Sequence, residues 1–174
     1  MKGADLHKPI LRVAMRQFPD QPTSSTPATC PTAERLEPTT LDTLPFAPRL
    51  IIWAARLWWQ DRGDETGSRQ MIAQAFTLAR SQGADAAFDE LMLMALHGAC
   101  RHLDFATHPR NLGTDELALL RVLAAFQDDA VIGGEQALES WLPPATARLA
   151  VDSALTLARQ MGRAGLYMRP RQQN

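Results

Sequence analysis

The sequence has no apolar run long enough to cross a lipid bilayer. Its longest apolar stretches, residues 50–59 and 91–99, are about half of the roughly 20 residues that a membrane-spanning helix needs. The first residues contain no uninterrupted apolar block of the secretory type, because Arg12 breaks the only candidate. We therefore expect a cytoplasmic protein with no membrane partner.

Cysteine and an excess of one charge are also scarce. Cys30 and Cys100 are too few for a disulfide framework, and reduced thiols are the simplest account, although the two would pair if the N-terminal segment folded back. Lys and Arg number 18 against 19 Asp and Glu, a net charge of −1. The whole chain therefore has no general attraction for nucleic acid, and any such attraction must be local.

The sequence motifs of common enzymes are missing. There is no phosphate-binding loop ending in Gly-Lys-Ser or Gly-Lys-Thr, no Gly-x-Gly-x-x-Gly and no Gly-x-Ser-x-Gly. Adjacent acidic residues at 64–65, 89–90 and 128–129 lie near predicted helix ends, where helix capping or solvation explains them. Neighbouring side chains on a helix diverge, so these pairs do not form an acid and base pair. We expect a non-enzymatic protein with no catalytic or cofactor-binding residue.

The N-terminal quarter is rich in residues that oppose regular structure. Residues 19–48 hold seven of the twelve prolines and nine Ser or Thr, with few large aliphatic side chains. Such a segment buries too little apolar surface to offset its conformational entropy, so we predict a disordered arm over residues 1–45. A short basic helix near residues 7–18 would need a partner surface to be stable.

From residue 46 to residue 169 the apolar residues recur with a period near 3.6, which is typical of amphipathic helices. The pattern predicts five or six helices: one beginning near Pro48, one that Gly83 caps, and others at about 85–101, 114–127, 135–141 and 143–162. No region alternates with a period of two. We predict an all-α fold, a compact orthogonal bundle, followed by a short tail at residues 170–174.

The predicted inner faces follow from the same spacing. The first two helices direct these side chains inwards: Leu50, Trp53, Ala54, Leu57 and Trp58, then Met71, Ile72, Ala75, Phe76 and Ala79. The third helix is apolar nearly all round, which indicates a central position. The fourth begins at Thr114, whose hydroxyl is the predicted cap, followed by two acids at the positive helix end.

Potential metal ligands lie around the end of the third predicted helix. His97 and Cys100 are three positions apart and share one side of the helix, with His102 just beyond its end and His108 in the following loop. This set would suit zinc or iron, but it lacks the paired spacing of strong zinc signatures. The alternative is that Cys100 packs as a small apolar residue while His102 and His108 are solvated.

The C-terminal part suggests a nucleic-acid interface. The order of elements over residues 113–169 looks like the opening helices of a winged helix-turn-helix domain, with residues 166–168 beginning the wing. Residues 143–174 contain five arginines and one acid, a local net charge of +4 that suits phosphate contact. The candidate contacts are Arg148, Arg159, Arg163 and Arg169. The alternative is a packed helix with a solvated basic end, since acids before it would repel a duplex.

Three tryptophans crowd the first helix. Trp58 and Trp59 point about 100° apart, so at least one of them lies outside the main apolar face. An exposed Trp often marks an interface, and we expect Trp58 or Trp59 to contact a partner protein or a second copy of the chain. The alternative is a rim residue covered by neighbouring chain.

The helical region resembles a family of small uncharacterised bacterial proteins, a domain of unknown function. The residues that carry the resemblance are 50–57, 91–96 and 112–120, within a region of about two thirds of the chain. Members tend to carry a cysteine cluster before the fourth helix, which residues 107–111 lack. The resemblance implies an all-helical fold and no assigned activity.

Taken together, these patterns favour a cytoplasmic, non-enzymatic helical protein that acts through contacts with a protein partner or with itself. A DNA-binding regulator is the second hypothesis. A metal-binding sensor is the third.

Overall fold

The computed structural model describes residues 40–62, 66–105 and 110–169, and the regular elements within these ranges are helices. A 3-10 turn at Leu41–Thr43 is followed by α1 (Phe46–Asp61), α2 (Thr66–Leu78), α3 (Ala84–Gly98), α4 (Thr114–Gln127), α5 (Val131–Leu138) and α6 (Pro144–Arg163). One isolated antiparallel bridge joins Thr40 to Asn111. The all-helical fold class predicted from the sequence is confirmed.

The predicted arm and tail fall mostly outside the described residues. Residues 1–39, which include Cys30 and the possible helix at 7–18, and residues 170–174 are not described. Residues 40–45 were expected in the arm but are attached to the helical unit, since the Leu41 N–H donates to the Arg110 carbonyl at 2.8 Å. The ordered unit therefore begins before the first helix.

The turn between α2 and α3 uses two left-handed residues. Arg80 has a φ of 61°, and the Ser81 N–H returns to the Phe76 carbonyl at 2.9 Å, which closes the end of α2. Gly83, with a φ of 81°, directly precedes α3. The prediction that Gly83 caps the second helix is therefore wrong: Arg80 takes that conformation, and the freedom of glycine serves the start of α3.

The starts of α4 and α5 also differ from the prediction. The N-cap of α4 is Gly113 rather than the predicted Thr114, and the Gly113 N–H donates to the Glu116 carboxylate at 2.8 Å. α5 begins at Val131, four residues earlier than expected, and contains Gly133 and Gly134 instead of following them. Helix propensity disfavours glycine, but packing overrides it here.

α3 and α6 pack against each other at the centre of the helical unit. One face of α3 buries four apolar side chains: Phe88, Leu91, Met92 and Ala95. α6 presents mainly small side chains to its neighbours, which lets the helices approach closely: Ala147, Ala150, Ala154 and Ala158. The central position predicted for the third helix is therefore observed.

The segment after α6 is held by one side chain. The Gln127 amide nitrogen donates to the Leu166 carbonyl at 2.8 Å, and its oxygen accepts the Met168 N–H at 2.8 Å. Residues 166–169 do not form a strand. Among the helices that the structure describes, none is both long and apolar enough to traverse a membrane.

Candidate functional site

α1 and α2 expose large apolar side chains along a shared face. The exposed fractions are 56% for Phe46, 39% for Trp53, 48% for Met71 and 85% for Leu78. The start of α1 meets the end of α2, so the two helices are antiparallel, and a groove of about 470 Å³ lies between them. Its walls are almost entirely apolar: Phe46, Leu50, Trp53, Ala75, Leu78 and Ala79. Exposed apolar surface that is grouped in this way marks interaction sites.

Two arginines lie near this groove. Arg49 lies between Phe46 and Trp53 on the exposed side of α1, and Arg80 lies two residues after the end of α2. Neither forms a salt bridge with any residue that the structure describes. α2 contains no acidic residue, and the single acid of α1, Asp61, accepts a hydrogen bond from Ser68. We call this surface, with its two arginines, the α1–α2 groove.

The three tryptophans of α1 have different environments. Trp58 is buried, and its indole N–H donates to Asp89 at 2.7 Å. Trp59 is half-buried and packs on Phe105 with ring centroids 4.9 Å apart. The exposed tryptophan of this helix is therefore Trp53, which the sequence pattern assigned to the core, rather than Trp58 or Trp59.

A second cavity, of about 300 Å³, lies between α2 and α3. Asp89 lines it, but this carboxylate already accepts the Trp58 N–H and pairs with Arg69 at 3.2 Å. Both partners come from neighbouring helices. Asp89 thus links α3 to α1 and α2, which is a structural role.

Buried acids at the start of α4 form the strongest polar cluster. Glu116 is buried and pairs with Arg56 of α1, with 2.6 Å between Oε1 and Nε. The hydrogen bond to Glu116 raises the pKa of Arg56 further above its usual range, although burial opposes this. Arg56 also donates to the Asn111 carbonyl at 2.9 Å. This cluster joins α1 to the loop before α4.

Asp115 makes a similar link to the end of α3. It pairs with Arg101 and accepts the backbone N–H of Asp104 at 2.8 Å. Burial alone would raise the pKa of Asp115, but these hydrogen bonds and the charge of Arg101 outweigh it, so the pKa is lowered. The carboxylate is therefore ionised at neutral pH. Neither acid was identified from the sequence as more than a favourable charge at a helix end.

The predicted metal ligands are only partly within the described residues. His97 and Cys100 are exposed, and the Cys100 thiol donates to the Trp141 carbonyl at 3.2 Å. α3 ends at Gly98, so Cys100 and His102 lie in the following loop and not on the helix. His108 lies outside the described residues. Within those residues, no three His, Cys, Asp or Glu side chains are grouped as a metal site would require.

The candidate nucleic-acid contacts are exposed, and two of them meet acids. Arg148 lies 3.6 Å from Glu135, and Arg169 lies 3.9 Å from Asp128. Arg159 and Arg163 continue the exposed side of α6. The residues proposed to begin a wing dock on Gln127 without forming a strand. DNA binding stays a prediction.

Comparison of the chain with protein-family models, with curated proteins and with solved structures found no match. The resemblance to a family of small helical bacterial proteins thus stays a prediction, and the surface itself carries the functional argument.

Proposed function

We propose that this chain is a helical protein-interaction module whose α1–α2 groove binds an apolar helix with acidic flanks. The observation that carries the proposal is the exposure of Phe46, Trp53 and Leu78 around one groove. Burial of each of these side chains against a partner would favour binding, because it removes apolar surface from water.

The shape of the groove favours a helix as the occupant. Two antiparallel helices present a channel between their ridges, and a third helix fits such a channel by placing its own side chains into it. Recognition of an amphipathic helix in a groove uses apolar residues at i, i+3, i+4 and i+7. Phe46 and Leu78 lie at one end of the groove, where α1 begins and α2 ends, and Trp53 lies further along α1, so apolar contacts for such a helix are spread along the channel.

The two arginines near the groove favour a ligand helix with acidic residues at its ends. Arg49 and Arg80 have no acidic partner among the described residues, so acids on the ligand would meet unpaired cations. Exposed pairs of this kind contribute little affinity each, but they favour one ligand over another and speed association.

A synthetic helix with a leucine face and glutamate flanks tests the proposal. We expect fluorescence anisotropy of the labelled peptide to give a dissociation constant on the order of 10 µM with the full chain. The same peptide with lysine flanks should bind about tenfold more weakly. Leu78→Glu should weaken binding about tenfold or more, because it places a charge at the most exposed groove position.

Leu149 provides a matched control for this titration. It is also a largely exposed leucine, but it lies on α6, away from the groove. Leu149→Glu should leave the affinity unchanged. Equal binding of the two peptides, or equal loss in the two variants, would overturn the proposal.

A further inference from the structure

A second group of exposed apolar residues lies at the start of α5. Ile132 is 75% exposed and Val131 is also exposed. α5 packs on α4 and α6, whereas α2 packs on α1 and α3, so this surface belongs to a different part of the helical unit from the α1–α2 groove.

The surroundings of this second surface are acidic. Asp128, Asp129, Glu135 and Glu139 precede it or lie along α5. Glu135 and Asp128 each have a distant arginine partner, at 3.6 Å and 3.9 Å. Within the described part of the chain, Asp129 and Glu139 form no salt bridge. We call Val131, Ile132, Asp129 and Glu139 the α5 patch.

The α5 patch has the chemistry that the groove requires of its ligand. Within the described residues, one surface is apolar with arginines that form no salt bridge, and the other is apolar with acids that form none, Asp129 just before α5 and Glu139 just after it. We infer that a second copy of this chain is a partner, and that its α5 patch docks in the α1–α2 groove. This inference rests on the proposed function and names the ligand for the same groove.

The contact is heterologous, because two different surfaces meet. A dimer formed in this way keeps one free groove and one free α5 patch, so association continues from head to tail unless the rotation closes a ring. A symmetric contact between two α1–α2 grooves is disfavoured, since it would bring Arg49 and Arg80 of one copy towards those of the other.

Sedimentation of the full chain tests the inference. At low salt, we expect the wild-type chain to associate beyond a dimer with increasing concentration. Leu78→Glu removes the groove, and Ile132→Arg places a cation in the α5 patch. Each variant alone should self-associate about tenfold or more weakly. Both positions are exposed, so circular dichroism should show unchanged folding.

The decisive result comes from mixing these two variants. The Leu78→Glu chain keeps its α5 patch, and the Ile132→Arg chain keeps its groove, so an equal mixture should form a dimer and nothing larger. The control Leu149→Glu should associate like the wild type.

Three results would overturn the inference: a wild-type chain that stays monomeric, an Ile132→Arg chain that associates normally, or a mixture without dimer. Binding of the glutamate-flanked peptide together with any of these would leave the proposed function standing. If the chain neither binds the peptide nor self-associates, the proposed function and the inference are both contradicted.

Discussion

Single residues at the start of α4 hold three parts of the fold together. Glu116 links α4 to Arg56 of α1, and Asp115 links it to Arg101 after α3. A buried ion pair gives little net stability compared with apolar packing, but the loss of one partner leaves an uncompensated charge. These pairs therefore fix how the elements meet more than they add to stability.

The lowered pKa of Asp115 makes stability depend on pH. Its pKa is lower in the folded chain than in the unfolded chain, so the unfolded state binds the proton more readily in acid. The stabilisation is fully present above the unfolded value, near 3.8, and is lost as the pH falls through the folded value. Urea denaturation between about pH 7 and pH 3 should show a smaller decline in the free energy of unfolding for Asp115→Asn than for the wild type.

Asp128 offers a control for this measurement. It is exposed, and its arginine partner lies 3.9 Å away. Asp128→Asn should follow the wild-type pH dependence closely, because an exposed pair of this length contributes little. The proposed role of Asp115 would be contradicted if both variants reduced the acid-induced decline in the free energy of unfolding by the same amount.

At the scale of the element, α5 shows how a glycine in a helix can be required. A Cβ atom at Gly134 would lie 2.6 Å from Cζ of Phe126, whose ring is buried in the core. Gly134→Ala should therefore lower the free energy of unfolding by about 1–3 kcal/mol. Gly133→Ala is the matched variant, since its nearest neighbour would be the Ala130 Cβ at 3.8 Å.

Thermal and urea unfolding of the two glycine variants should give opposite signs. Gly133→Ala should stabilise the chain by up to about 1 kcal/mol, because alanine has the higher helix propensity. A stabilising Gly134→Ala would show that Phe126 can move aside, which the close packing of the core opposes.

The helices of this chain were predictable, because their apolar period and their proline and glycine boundaries are clear. α1 and α3 were located within a few residues. The ends of α2 and the start of α5 were not, because Arg80 adopts a left-handed conformation and Gly134 packs under Phe126. Both depend on tertiary contacts that a local pattern does not contain.

The groove was missed because Trp53 and Met71 were assigned to the core. Both are exposed, whereas Ile51 and Ile52, which lie outside the predicted inner face of α1, are buried. α1 is apolar over so much of its circumference that the period does not determine which side faces inwards. Only the packing of α1 on α2 and α4 reveals that Trp53 and Met71 are at the surface.

At the scale of the whole molecule, a net charge of −1 hides an uneven distribution. Among the described residues, arginines without a salt bridge accompany the exposed apolar residues of the groove, and acids without a salt bridge accompany those of the α5 patch. An average over the sequence therefore excludes a general attraction for nucleic acid but says nothing of local complementarity. We propose that the α1–α2 groove is where this molecule meets another polypeptide.

Methyl NMR of the full chain during titration with the glutamate-flanked helix tests that claim most directly. We predict chemical-shift changes at the methyl groups of Met71 and Leu78, with Leu149 unchanged. The dependence of these shifts on helix concentration should give the same dissociation constant as the anisotropy titration. Changes centred on Leu149, or spectra that do not respond to the helix, would contradict the account.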